Sequence, residues 1–579
     1  MQARGVPLER TPWRSTLLRA ALWIGPLIFL VVFYFYPLGS ILQVSFARSE
    51  EGVSAPLVEA LTSSSTRSVL WFTIWQAVLS VVLTLIIGLP GAYLIARYNF
   101  RGKSLLLALT GIPFVLPTLV VATAFNALLG PNGWINIALM NTFNLSTPPI
   151  QFMNTFVAIL VAHVFYNTTI VLRMVGDFWS HMDPQLGSAA KVLGANRWKT
   201  LTKITLPLLM PVILTAALLV FIFDFTSFGV ILVLGGPQFA TLEVEIYYQT
   251  ISLFNLPLAA ALALLQLICT LGFTLVYTHL SARLTRPLAM RPRKLTQRRL
   301  RSWRSRLFAG IYIILLLALF IVPLAALATR SVAKLDPDRR PMDPVSPELT
   351  LDYYRELGIN RRQSLFFVPP TTAISVSLIY AGVTVLLALA LGLPASLALA
   401  RDERALTSRI FDPILMLPLG TSAVTLGLGF IIALGAPPLN LRASPILIPF
   451  AHTLVALPFV VRSLTPALRS IRPRLRHAAS VLGAPPGRVL RHIDLPLVGR
   501  ALLVAATFAF TISLGEFGAT ALIARPEYPT VPVMIFRYLG QPGGLNYGQA
   551  LALSTILMGI TAIGILAIER LRIADVGEF

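Results

Sequence analysis

The sequence predicts an all-α integral membrane protein with about twelve transmembrane helices, arranged as two parallel six-helix repeats. Three observations predict it. Of 579 residues, 56% are hydrophobic and only 12% charged, with a mean hydropathy of +0.76; soluble chains carry roughly 25% charged residues. Such a chain cannot cover its own surface in water. Apolar runs long enough to span a bilayer recur along the whole length. The second half then repeats the first in a fixed register.

In chain order, the candidate spans lie near 20–47, 68–96, 104–129, 152–172, 207–234 and 251–280 in the first half. In the second they lie near 307–329, 371–400, 413–434, 445–461, 496–524 and 545–568. Most exceed the ~20 residues that cross a hydrocarbon core, so tilt or protruding ends must absorb the excess. The first is too long for a signal-peptide core and reads as a retained span.

The net charge is +23, from 47 Lys and Arg against 24 Asp and Glu. With the N-terminus and C-terminus placed in the cytoplasm, the seven inner segments hold most of the basic residues, as the positive-inside rule requires. The six outer segments hold 12 of each sign. Topology accounts for the basic excess, and no nucleic-acid partner is needed. The densest block, Arg283 to Arg306, has ten Lys and Arg and no acid. It reads as a cytoplasmic linker close to anionic lipid or as a docking site.

A shift of 289 residues aligns the halves. Ala162-His163 falls on Ala451-His452, Arg173 on Arg462, and Val192-Leu193-Gly194-Ala195 on Val481-Leu482-Gly483-Ala484. Phe228-Gly229 falls on Phe517-Gly518 and Pro237 on Pro526; Gly88-Leu89-Pro90 resembles Gly392-Leu393-Pro394 at a slightly different offset. The register passes through polar loops, where chance matching of apolar residues cannot sustain it. Residues 1–282 and 307–579 are thus two copies of one module, joined by the basic linker 283–306. Six spans return the chain to its starting side, so the copies share one orientation, and the natural pathway for a solute lies between them.

Chemistry is sparse. The single cysteine, Cys269, excludes a disulfide within the chain and a thiolate metal cluster. The six histidines show no metal-ligand spacing, so no metal site is expected. Gly102-Lys103-Ser104 resembles the end of a phosphate-binding loop, but Arg97 stands where its first glycine belongs. No catalytic residue is found, and a membrane enzyme would need clustered acids or ligands that are missing.

The loops near 183–207 and 472–496 carry the most information. The first reads Ser188-Ala189-Ala190, three residues, Gly194, nine residues, then Ile204-Thr205-Leu206-Pro207. The second reads His477-Ala478-Ala479, three residues, Gly483, nine residues, then Ile493-Asp494-Leu495-Pro496. This spacing resembles the EAA loop of permease subunits of binding-protein-dependent type I ABC importers, although Ser188 and His477 stand where that family has Glu. The residues predict a short low-profile helix, a turn with positive φ at the glycine, and a span opened by Pro207 or Pro496. The resemblance implies that each helix seats on one of two copies of a partner ATPase subunit. ATP and Mg would bind there, and no cofactor would bind this chain. An extracytoplasmic solute-binding protein would deliver the cargo, and the location would be the bacterial plasma membrane. A twelve-span secondary transporter driven by an ion gradient is the alternative, but the signature loop usual after its second span is missing between Arg97 and Lys103.

Asp224 and Glu516 sit within the fifth and eleventh spans, where a charge costs ~2.5–3.5 kcal/mol. Asp224 aligns with Ser513, and Ser227 with Glu516. Leu514 to Ala519 resembles the GEFG segment of permeases for oxyanions and related solutes. Three roles are open to these carboxylates: meeting a cationic substrate, gating the pathway or capping a kinked helix. The equivalent pair His163 and His452 reads as shared packing or a polar lining. Thr241 to Tyr248, with Glu243 and Glu245, and Asp336 to Arg362 read as outer loops, solvated or docking the binding protein. The fused arrangement is similar to ferric-iron and thiamine permeases, and Ala162 to Asn167 and Gly235 to Tyr247 resemble the thiamine type.

Overall fold

The computed structural model describes residues 13–46, 62–284, 296–334, 348–359, 368–401, 406–435, 437 and 439–571. The first half runs α1 (Ala21–Phe46), α2 (Ser64–Arg97), α3 (Lys103–Val115), α4 (Thr118–Leu129), α5 (Trp134–Phe143), α6 (Phe156–His181), α7 (Pro184–Val192), α8 (Trp198–Phe225), α9 (Gly229–Leu234), α10 (Leu242–Tyr247) and α11 (Leu256–Leu284). The second half runs α12 (Trp303–Arg330), α13 (Pro370–Arg401), α14 (Leu406–Met416), α15 (Ala423–Ala433), α16 (Leu447–Ser470), α17 (Pro473–Val481), α18 (Pro486–Gly515), α19 (Gly518–Ile523), α20 (Val531–Leu539) and α21 (Gly544–Leu571).

Among the described residues, ten helices are long and apolar enough to cross a bilayer, and two bent pairs bring the number to twelve. The third and ninth spans are the bent pairs: α3 and the helical stretch from Thr118 meet at 107°, and the helical stretch Leu406–Gly420 meets α15 at 96°. Pro117 accounts for the first break, because the residue before a proline avoids the helical region; Leu116 is extended at ψ 139°. At the second break Thr421 is extended and Ser422 caps α15, accepting from the Val424 and Thr425 amides.

The fifth and eleventh spans differ from expectation at both ends. They begin at Trp198 and Pro486, before Pro207 and Pro496, so these prolines lie inside continuous helices and do not open them. A π turn precedes each of them. Leu201–Thr205 and Leu490–Asp494 are π-helical, each ending two residues before the proline. A helical proline donates nothing and crowds the carbonyl four residues back; the wider turn relieves that carbonyl. Val31–Phe35 does the same ahead of Pro37. At their far ends these spans break at Thr226–Phe228 and Glu516–Phe517, and the short α9 and α19 follow.

The matched Gly-Leu-Pro segments permit a close helix crossing in each half. A Cβ on Gly88 would meet the Val171 side chain at 2.7 Å, and one on Gly392 would meet Val460 at 2.6 Å. These glycines let α2 touch α6 and α13 touch α16, as small residues do between membrane helices.

The halves exchange their first helices. Trp23, Phe29, Leu30 and Tyr34 of α1 pack into a second-half core with Ala395, Leu399, Phe430 and Leu454. The Tyr34 hydroxyl lies 2.6 Å from Thr421 Oγ1. In return Tyr312 of α12 donates to the Ile87 carbonyl, and Phe320 lies edge-on to Phe165 at 5.7 Å. The basic linker is described from Thr296; residues 285–295 lie outside the described residues. Its described part is tied to the first half: Arg298-Arg299 pairs in parallel with Tyr98-Asn99, and Thr296 Oγ1 donates to the Ser180 carbonyl at 2.5 Å.

Candidate functional site

The two loop helices share one geometry. Residues 184–192 and 473–481 are helical, and Gly194 and Gly483 follow at φ +83° and +78°. Each turn closes in the manner of a left-handed C-cap: the Ala195 amide donates to the Ala190 carbonyl and the Ala484 amide to Ala479, both at 2.9 Å. No atom lies within 4 Å of a Cβ built on either glycine, so backbone conformation alone demands them. Ser188, Ala189, His477 and Ala478 are exposed, Ala190 is buried and Ala479 half-buried. Val192, Leu193, Val481 and Leu482 are 87–88% exposed at the tips. Ile204 and Ile493 lie in the π turns and Leu206 and Leu495 just after them, all half-buried, while Pro207 and Pro496 are exposed.

A buried ion pair distinguishes the second loop. Asp494, fully buried in the second π turn, accepts from Arg476 Nε of α17 at 2.7 Å. Arg401, at the end of α13, lies 3.7 Å from its other oxygen, and Arg476 also donates to the Leu468 carbonyl of α16. One carboxylate thus joins the loop helix to three spans. Gly187 and Thr205 occupy the equivalent positions in the first half, where the ion pair has no counterpart.

The structure gathers the intramembrane candidates into two buried nodes, one in each half. His163 sits between Ser80 Oγ (3.0 Å) and Ser227 Oγ (2.9 Å), with Asp224 at 3.4 Å. Asn167 donates to Asp224 at 2.6 Å. In the second half, His452 sits between Ser513 Oγ (2.7 Å) and Thr520 Oγ1 (2.8 Å), with Glu516 at 3.2 Å. Thr384, the equivalent of Ser80 at the offset of the Gly-Leu-Pro match, lies 3.2 Å from Ser513. The carboxylate has moved three positions along the repeat, from the last turn of α8 to the break before α19. There Glu516 accepts from the Ala519 amide (2.8 Å), the Thr520 amide (3.1 Å) and Thr520 Oγ1 (2.6 Å), capping the helix.

The halves meet at the breaks. Phe228 and Phe517, equivalent under the repeat, are stacked with centroids 5.5 Å apart and planes at 23°. Tyr247 lies 5.4 Å from Phe228, and its equivalent Phe536 lies 5.4 Å from Phe517. Four rings therefore form a symmetric row across the interface. The repeat alignment contained Phe228 and Phe517 as equivalents, but alignment of equivalents carries no information on which of them touch.

Glu243 corrects the reading of Thr241 to Tyr248 as an outer loop. Leu242–Tyr247 is helical and Glu243 is 1% exposed. Its carboxylate accepts from Gln266 Nε2 and from Ser422 Oγ of the second half, each at 2.5 Å. Glu245 is half-buried and accepts from Gln249. Of the segment 336–362, residues 336–347 and 360–362 lie outside the described residues; Glu348 pairs with Lys334 at 2.9 Å, which holds its carboxyl below the usual range.

Comparison with known proteins follows the same lines. Residues 88–286 match the family described as binding-protein-dependent transport system inner membrane component. The chain is 30% identical over 515 residues to the thiamine transport system permease protein of Brucella abortus, covering 87% of this chain and 86% of that one. It is 27% identical to the Escherichia coli thiamine transport system permease protein, over 82% of this chain and 84% of that one. It is also 27% identical to a probable ABC transporter permease protein of Sinorhizobium fredii, over 98% of this chain and 99% of that one. With two sets of spans, two matched loop helices and relatives aligned across both halves, the chain belongs to the binding-protein-dependent ABC importer permeases, in their fused two-module form.

Proposed function

We propose that this permease carries thiamine across a bacterial inner membrane and is driven by an ATPase that the chain does not itself contain. Both thiamine permease relatives align across most of the chain, which supports the cargo. One observation carries the drive: two loop helices of the same geometry, 289 residues apart, each holding out a pair of apolar side chains at 87–88% exposure. Exposed aliphatic pairs of this kind fit hydrophobic grooves on another protein. Each would seat on one of two ATPase copies, where ATP and Mg bind, and this chain holds no cofactor. The loops and both termini then face the cytoplasm, and a solute-binding protein delivers the cargo on the opposite side. Solute passes where the halves meet, and the stacked Phe228 and Phe517 close that route in the conformation described here.

Purification of the tagged chain from native membranes, followed by mass spectrometry and reconstitution, tests the proposal. The expected result is a P-loop ATPase at two copies per chain, and thiamine uptake that requires ATP and the binding protein. A chain that purifies alone and moves solute on an ion gradient would overturn it.

A further inference from the structure

Glu243 is an unusual carboxylate for its place. It is buried, it bridges the two halves, and among the described residues both of its oxygens are held by neutral donors, Gln266 and Ser422, with no Lys, Arg or His paired to it. Asp224 and Glu516 each lie beside a histidine; Glu243 does not. A buried carboxylate without a cation is costly, and folds seldom keep one for stability. Gln266 Oε1 is also buried and has no partner, so the site holds more acceptors than donors. The repeat places Pro532 opposite Glu243, so this carboxyl group is single on a nearly symmetric pathway.

One turn along α10, on the same face, Tyr247 begins the row of rings that continues through Phe228 and Phe517 to Phe536. Aromatic faces attract cations and stack on flat rings. We propose that Glu243 and this aromatic row form the selectivity site for a flat organic cation. The site opens when the halves part and Ser422 is drawn away from the carboxylate. The inference rests on the thiamine reading, since thiamine carries a fixed positive charge on an aromatic thiazolium ring. In the closed state Ser422 and Gln266 take the place of the cation. In the open state the cargo takes their place, so the carboxylate has a partner at both ends of the cycle.

The test uses the complete importer in proteoliposomes, with radiolabelled thiamine as the probe. Glu243→Gln keeps the shape and removes the charge. It is expected to cut the rate of thiamine uptake by ~10-fold or more, while ATP hydrolysis stimulated by the loaded binding protein stays within ~2-fold of the parent. Glu243→Asp should restore part of the uptake. Glu245→Gln removes a charge from the same helix outside the site, where Glu245 accepts from Gln249, so its uptake should stay close to that of the parent. Parental uptake by Glu243→Gln would overturn the site, as would equal losses in Glu243→Gln and Glu245→Gln, which would make the effect a general one of the helix. A parent complex that moves no thiamine overturns instead the substrate reading on which the site's cargo rests.

Discussion

Phe228 stacks on Phe517, its own equivalent 289 residues later, with the ring centroids 5.5 Å apart. Equivalent residues of a two-fold repeat can touch only where the axis passes between them, so this pair marks the axis of the molecule. Both rings are buried, at 6% and 3% exposure. Removing either should open the route. Phe228→Ala and Phe517→Ala are each expected to raise ATP-independent efflux of thiamine from preloaded proteoliposomes. The double variant should fall short of the sum of the two by the stacking energy, ~0.5–1.5 kcal/mol. Efflux unchanged in both single variants would show that the closure lies elsewhere.

Gly194 and Gly483 are held at positive φ with open space around them. Alanine at either position costs ~1–2 kcal/mol of backbone strain and meets no neighbour. Membrane insertion should therefore be normal, while solute moved per ATP hydrolysed falls. Gly487 has equally open space and no positive φ, so Gly487→Ala serves as the neutral control. Equal effects at 194, 483 and 487 would separate the coupling role from the glycine turn.

Asp494 and Glu516 exchange rank between sequence and structure. From sequence, Glu516 is the intramembrane charge and Asp494 a loop residue suited to be its control. In the structure Asp494 is fully buried and faces the guanidinium groups of Arg476 and Arg401, whereas Glu516 lies beside His452 and caps a six-residue helix through amide and hydroxyl donors that a glutamine can still meet. Breaking a buried ion pair costs ~3–5 kcal/mol, and losing a cap costs ~1 kcal/mol. Asp494→Asn should lower the thermal midpoint of the purified permease and its uptake per ATP more than Glu516→Gln does. Thr205→Val, at the equivalent site without the ion pair, should change little.

Leu193 and Leu482 are 88% and 87% exposed and contribute nothing to the core. Leu193→Ser combined with Leu482→Ser should leave the thermal midpoint of the isolated chain unchanged and reduce the ATPase that purifies with it. Undiminished recovery of the ATPase would move the docking surface away from the helix tips.

The number of spans and the two-fold organisation were legible in the sequence because both are written as periodic patterns: apolar length for the spans, and a constant offset for the repeat. The loop helices were legible through the alanine pairs and glycines. What the sequence hid follows from local chemistry that hydropathy averages away. Thr226 and Glu516 lie in apolar surroundings, so a broken span reads as an intact one. Pro207 reads as a helix start, because nothing in the sequence announces the π turn that lets the helix run through it. The spans near 152–172 and 445–461 run nine residues past the ends of their apolar stretches, reaching His181 and Ser470. Arg173 ends the apolar signal, although its guanidinium donates to the Leu107 carbonyl inside the helix bundle. Glu243 reads as a loop acid because its partners, Gln266 and Ser422, are distant in sequence.

The exchange of first helices sets an order of events on the ribosome. The nascent chain releases α1 first, yet the residues that cover Phe29 and Tyr34, among them Leu399, Phe430 and Leu454, are made after the midpoint of the message. At ~5–20 residues per second, α1 stays in lipid for on the order of tens of seconds before its permanent neighbours exist. Two genes encoding separate halves would leave that helix to a diffusional search between molecules. Encoding both in one reading frame tethers the late partner to the early helix at high effective concentration, so each newly made chain completes itself.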